Sequence, residues 1–220
     1  MNTYFETLKT KQRELRKDFD ESLGLRVHRA LSWLARAEQE DEDMDARFIF
    51  LWIGFNAAYA SELEDRAQFS ERGLFGKFIQ RIVDMDQQER LYNLMWREFS
   101  QSIRLLIDNP YIYQPFWDYH NGNITEGDWK ERFERHKLHA HRALSQHNTS
   151  QLLLIVLERL YTLRNQLVHG GATWNSSVNR EQLRDGANIL HKILPVIIDI
   201  MMDSGKTMWG SPCYPVIEAI

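Results

Sequence analysis

Cysteine is almost missing from this chain: Cys213 is the only one among 220 residues. A single thiol cannot close an intramolecular disulfide or build a cysteine-based zinc module. Proline is scarce as well, five in all and none before Pro110, so no proline interrupts helices in the first half. No stretch approaches the roughly 20 apolar residues that a membrane-spanning helix needs. Met1 to Lys17 alternates charged and apolar residues and has no apolar signal-peptide core. Together these two absences predict a cytosolic protein with no membrane partner. Nor does charge of one sign dominate: the net is -4, so a nucleic-acid site would have to be a local basic patch. What remains, 43% apolar and 26% charged residues, is ordinary globular composition, long enough for one large domain or two small ones.

Helical periodicity dominates and strand signals are few. Leu8, Leu15 and Phe19 mark a first amphipathic stretch. Leu23 to Glu40 forms a second, with Leu23, Val27, Ala30, Leu31 and Leu34 on one face and Ser22 as its expected N-cap. The acidic run Glu40-Asp41-Glu42-Asp43 reads as a loop entering a helix N-terminus, where negative charge is favoured. Phe48 to Ala60 is apolar nearly all round, which predicts burial on every side or a subunit contact. Leu74 to Asp84 and Gln87 to Ile107 read as two further helices. Asn109 to Asp128, punctuated by Pro110, Pro115, Gly122 and Gly127, reads as an aromatic-rich loop. Trp129 to His147, Ser150 to His169 and Arg180 to Asp203 complete the helices, the last kinked or ended early by Pro195. Residues 204–220 read as a tail. The expectation is an all-α bundle without internal repeats.

The segment LYTLRNQLVHGG, Leu160 to Gly171, carries the strongest chemical signal. Arginine followed by histidine after four to six residues is weak by itself, because Arg132–His139, Arg135–His141, Arg142–His147 and Arg184–His191 share that spacing. Three features set Arg164–His169 apart: polar Asn165 follows the arginine, an amphipathic helix precedes it, and Gly170-Gly171 stops that helix after the histidine. On an ideal helix Arg164 falls with Leu153, Leu157 and Leu160, while Glu158, Thr162, Asn165 and His169 line a separate polar stripe. Arg164 and His169 are then about 140° apart.

This segment resembles the signature of the HEPN superfamily, helical-bundle proteins whose arginine, adjacent polar residue and histidine form a ribonuclease site. Trp52, Asn56 and Tyr59 are similar to the second helix of that family, particularly its Apea-like branch. The resemblance implies a single HEPN-like helical domain over 1–220, with additional flanking helices. Its core would be 23–60 and 150–203, with 61–149 as an inserted segment and 204–220 as the C-terminal tail. It further implies a homodimer whose paired motifs meet near a two-fold axis, an RNA substrate, and no metal or other cofactor. A role in defence or as a toxin, restrained by a protein partner, belongs to the same expectation. Arg164 and His169 would be catalytic with Asn165 assisting, and Glu158, Thr162 and Asn56 would support them. The competing readings are a non-catalytic module that binds RNA or protein, and a structural arginine beside a histidine that only caps a helix end.

Other features of the chain allow more than one chemistry. The helix carrying Lys130, Arg132, Arg135, Lys137 and Arg142 could follow an RNA backbone or could be a solvated charged face. Its histidines 136, 139, 141 and 147 make a poor metal site, because His141 lies well off the face that His136 and His139 share. The aromatic residues Tyr111, Tyr113, Phe116, Trp117 and Tyr119 could stack bases or could pack their loop onto the core. Gly205-Lys206-Thr207 lacks the earlier glycine and preceding strand of a phosphate-binding loop. Asn56 reads as a satisfied core amide.

Overall fold

A computed structural model describes residues 3–59, 71–177, 179–204, Trp209 and Tyr214. Among these residues every regular element is helical. The helices are α1 (Tyr4–Leu15), α2 (Glu21–Ala37), α3 (Met44–Tyr59), α4 (Glu71–Met85), α5 (Arg90–Asn93), α6 (Ser100–Asp108), α7 (Gln114–His120), α8 (Glu126–Ser145), α9 (Thr149–Val168) and α10 (Arg180–Asp203). No described helix is long and apolar enough to cross a membrane. Cys213 and the Gly205-Lys206-Thr207 run lie outside the described residues.

The chain divides into two compact units, Met1–Gln88 with Ala187–Ile220, and Glu89–Gly186. That division differs from the expected core of 23–60 plus 150–203. Helix α9 packs against α6 and α8 of the middle segment, so it belongs with them, and only the second part of α10 joins the first unit.

In the first unit the helix starts follow from side-chain caps. Thr3 and Glu6 form a capping box on α1, and Asp43 Oδ1 accepts from the Ala46 amide at the start of α3. Asp20, not Ser22, caps α2: its carboxylate accepts the Leu23 amide at 2.7 Å. The expected face of α2 is buried from Leu23 to Leu34; α2 packs on α3, where Phe48, Leu51, Trp52 and Phe55 are buried, and Ile193, Leu194 and Ile197 of α10 are buried as well. Gly54 explains how closely these helices approach. A Cβ there would stand 2.9 Å from Leu194 Cδ2 and 3.3 Å from Trp33 Cβ. Helix α10 runs through Pro195 without ending. At one end of the unit, Glu38 accepts the Tyr4 and Phe5 amides at 3.0 and 3.2 Å and meets His191 Nε2 at 3.3 Å. A carboxylate is well placed at those exposed N–H groups of α1.

In the second unit, Gln87 to Ile107 is not one helix. Glu89 has φ 52, α5 is a single turn, and a π turn over Leu94–Glu98 precedes α6. The wide turn shifts the apolar phase, so Leu91 before it, Leu94 and Met95 within it, and Ile103, Leu106 and Ile107 after it are all buried. Asn109 to Asp128 is likewise more ordered than a loop. Asn109 caps a 3₁₀ turn that Pro110 begins, and Pro115 sits in the first turn of α7. Both prolines occupy positions where a missing N–H costs no helical hydrogen bond. A Thr125–Asp128 capping box then starts α8 three residues before Trp129.

Candidate functional site

Helix α9 carries the arginine–histidine segment, and its ends are well defined. Asn148 Oδ1 accepts the Gln151 amide at 3.0 Å. At the other end His169 is the C-cap and Gly170 takes φ +71, the left-handed position that glycine fills without a Cβ penalty. The Gly170 amide donates to Leu167 O at 3.3 Å and the Gly171 amide to Gln166 O at 2.7 Å, the paired bonds of a Schellman stop. His169 is therefore exposed beside the negative end of the helix.

Arg164 is half-buried, and its Nη1 donates to Asn165 Oδ1 at 3.0 Å. Among the described residues it makes no ion pair, so no carboxylate neutralises it. Asn165 thus engages Arg164, whereas His169 stands apart. The helix stays regular to Val168, which preserves the separation of about 140° expected from helical geometry. No hydrogen bond among the described residues joins Arg164 to His169 within one chain.

The polar stripe Glu158–Thr162–Asn165–His169 does not face solvent as a unit. Thr162 is buried and its hydroxyl donates to the Glu158 carbonyl at 3.3 Å. Glu158 is half-buried, with Oε2 3.5 Å from His136 Nε2. Asn56 belongs to the first unit; it is half-buried and has no hydrogen bond among the described residues, so the satisfied core amide is not found. Trp52 is buried, and Tyr59 joins Phe55, Phe75 and Phe78 in an aromatic cluster.

The most buried cation of the second unit is one that sequence reasoning missed. Arg159 is only 1% exposed. Its Nη2 donates to Ile107 O at 2.9 Å and to His136 Nδ1 at 3.3 Å, while its guanidinium lies 4.4 Å from the Tyr113 ring centre and 5.3 Å from that of Phe133. Burial pushes this group well down from its ordinary value, to about 10, against the pull of Tyr113, Glu158 and Asp108. A guanidinium has no acceptor, so Nδ1 of His136 must accept, which places the imidazole proton on Nε2 facing Glu158. The available signal was position: Arg159 lies three or four residues from Ile155, Val156, Thr162 and Leu163, all buried.

On α8, three of the five candidate RNA contacts already pair with carboxylates. Lys130 meets Glu126 at 2.5 Å, Arg135 meets Glu131 at 2.8 Å and Lys137 meets Glu134 at 2.7 Å. Arg132 and Arg142 are exposed and make no ion pair among the described residues. Also among the described residues, no three histidine, cysteine, aspartate or glutamate side chains gather as a metal site would require. Comparison of the chain with protein families, with characterised proteins and with solved structures finds no match.

Proposed function

We propose that this chain is a metal-independent endoribonuclease of the HEPN type, acting as a homodimer. The observation that carries the reading is Arg164: a half-buried cation with a neutral amide as its hydrogen-bond partner and, among the described residues, no paired carboxylate, five residues from an exposed histidine at a helix end. Arginine offers a phosphate a planar fork of donors, and a histidine titrates in the range where it can both take and give protons. His169 takes the proton of a ribose 2′-OH as that oxygen attacks the adjacent phosphorus. The bond to the 5′-oxygen breaks, and a second His169, from the partner chain, returns a proton to the leaving oxygen. Arg164 stabilises the added negative charge of the transition state, and Asn165 fixes the guanidinium. The products are a 2′,3′-cyclic phosphate and a free 5′-hydroxyl.

Pairing two chains supplies what one lacks, because Arg164 and His169 point in different directions along one helix and a two-fold contact presents each of them twice. A role in defence or as a toxin, with a restraining protein partner, is the biological setting this reading implies. The separation of the two side chains within one chain also favours a second reading, a module that binds RNA through Arg164 without cutting it. Incubating the protein with a mixed RNA panel in EDTA, and identifying the new ends, separates the two. Cyclic-phosphate ends that vanish in folded, dimeric Arg164→Ala and His169→Ala support the ribonuclease. Salt-sensitive binding with intact RNA supports the binding module.

A further inference from the structure

The C-terminal turn of α9 is tied to the aromatic segment by a single side chain. Gln166 Nε2 donates to the Tyr111 carbonyl at 2.5 Å, and its Oε1 accepts from Asn179 Nδ2 at 2.9 Å. The same Tyr111 carbonyl accepts a second bond, from Trp117 Nε1 at 2.8 Å, and the Tyr111 amide donates to Asn109 Oδ1 at 2.8 Å. The Tyr111 backbone is thus fixed from three sides. The residue, however, is 52% exposed, and its ring meets that of Phe116 in a T-shaped contact at 5.3 Å. Gln166 and His169 are three residues apart, so they share a helix face. An exposed aromatic side chain on a backbone pinned this way, on the histidine side of the motif, has less ordering entropy to lose when a flat partner stacks on it.

The geometry points to Tyr111 as a base-stacking residue for an unpaired nucleotide of the RNA that His169 engages, with Gln166 as the positioning residue that holds Tyr111 there. This inference rests on the ribonuclease reading for its ligand. Stacking also accounts for why the expected packing role does not exhaust this segment: Trp117 and Phe116 pack while Tyr111 stays out.

The test is binding of a fluorescein-labelled, 2′-O-methylated 12-nucleotide oligouridylate, which lacks the nucleophilic hydroxyl, followed by anisotropy. Tyr111→Leu is expected to weaken binding about 5- to 150-fold, the range for loss of one stacked base, and Tyr111→Phe to stay within about two-fold of wild type. An abasic version of the oligonucleotide should bind wild type and Tyr111→Leu equally. Gln166→Leu should weaken binding in the wild-type background and add nothing in the Tyr111→Leu background, which a merely structural role would not produce. Circular dichroism checks that each variant is folded. Unchanged affinity of folded Tyr111→Leu, or equal binding of abasic and intact oligonucleotides by wild type, overturns the inference. If His169→Ala still abolishes cleavage in that case, the ribonuclease reading stands without it. If wild type binds no oligonucleotide, the inference falls, and if it cleaves none either, both fall.

Discussion

Replacing Arg159 by methionine and, separately, by alanine divides its burial into a charge component and a volume component. The fall of this guanidinium to about 10 means that burial holds about 3 kcal/mol against the charged form. Both substitutions relieve that cost. Both also strip the Ile107 carbonyl of its donor, worth about 1–3 kcal/mol, and remove a desolvated cation from the Tyr113 and Phe133 rings, worth about 2 kcal/mol. These contributions nearly cancel, so Arg159→Met should change stability by only about 1–2 kcal/mol. Alanine additionally leaves a cavity between α6, α8 and α9, at about 2–5 kcal/mol. Urea unfolding followed by far-UV circular dichroism should therefore show a clear loss for Arg159→Ala and a midpoint near wild type for Arg159→Met. Equal destabilisation by the two would refute the reasoning, because it would make the charge itself, not the packed stem, the stabilising element.

Gly54→Ala gains about 1 kcal/mol of helix propensity but drives a Cβ to 2.9 Å from Leu194 Cδ2, an overpacking cost of about 1–3 kcal/mol. Thermal melting should show Gly54→Ala at or slightly below wild type and Gly54→Val well below it; a Gly54→Val melt equal to wild type would contradict the close helix approach. Burial would raise the Glu38 carboxyl, yet the hydrogen bonds from His191, Phe5 and Tyr4 outweigh it and hold the group below its ordinary value. Its contribution is therefore present above the unfolded carboxylate value of about 4.3 and lost as pH falls through the lower folded value. Denaturation curves of wild type and Glu38→Gln should diverge at neutral pH and converge in acid, and a constant gap across that range would count against the assignment. On α8, Arg132→Ala and Arg142→Ala should each reduce the salt slope of RNA binding by about 1, whereas the carboxylate-paired Lys130, Arg135 and Lys137 should have smaller effects. Unchanged slopes for Arg132→Ala and Arg142→Ala would make α8 a solvated charged face.

How much of this could be read from the sequence depended on how local the cause was. Most of the helices, the buried face of α2, the acidic entry into α3 and the glycine stop after His169 follow from residues a few positions apart, and all were legible in the sequence. The i,i+4 pairs on α8 were equally local: Glu126–Lys130 and Glu131–Arg135 are visible as spacings, and they occupy cations that look free when only the basic residues are counted. The π turn and the helix starts at Pro110 and Pro115 were not legible, because proline marks a loop and a helix start alike. Helix α9 misled for a different reason. Apolar residues occur nearly all round its first three turns, so no single stripe defines the buried side. Arg159 and Thr162 went inside while Arg164 stayed half out. Which arginine is buried is decided by the carbonyl of Ile107 and the rings of Tyr113 and Phe133, residues some 25 to 50 positions away. The Gln166–Tyr111 tether has the same long-range character.

Proton transfer by His169 on RNA, as proposed, is open to a direct kinetic measurement. Single-turnover cleavage in EDTA, by wild type and by a His169→Ala protein with wild-type circular dichroism and wild-type dimer mass, tests it most directly. Cyclic-phosphate ends are expected from wild type, and a rate at least about 100-fold lower from the variant, the usual contribution of a positioned acid or base. Cleavage at the wild-type rate by folded His169→Ala would contradict proton transfer by His169.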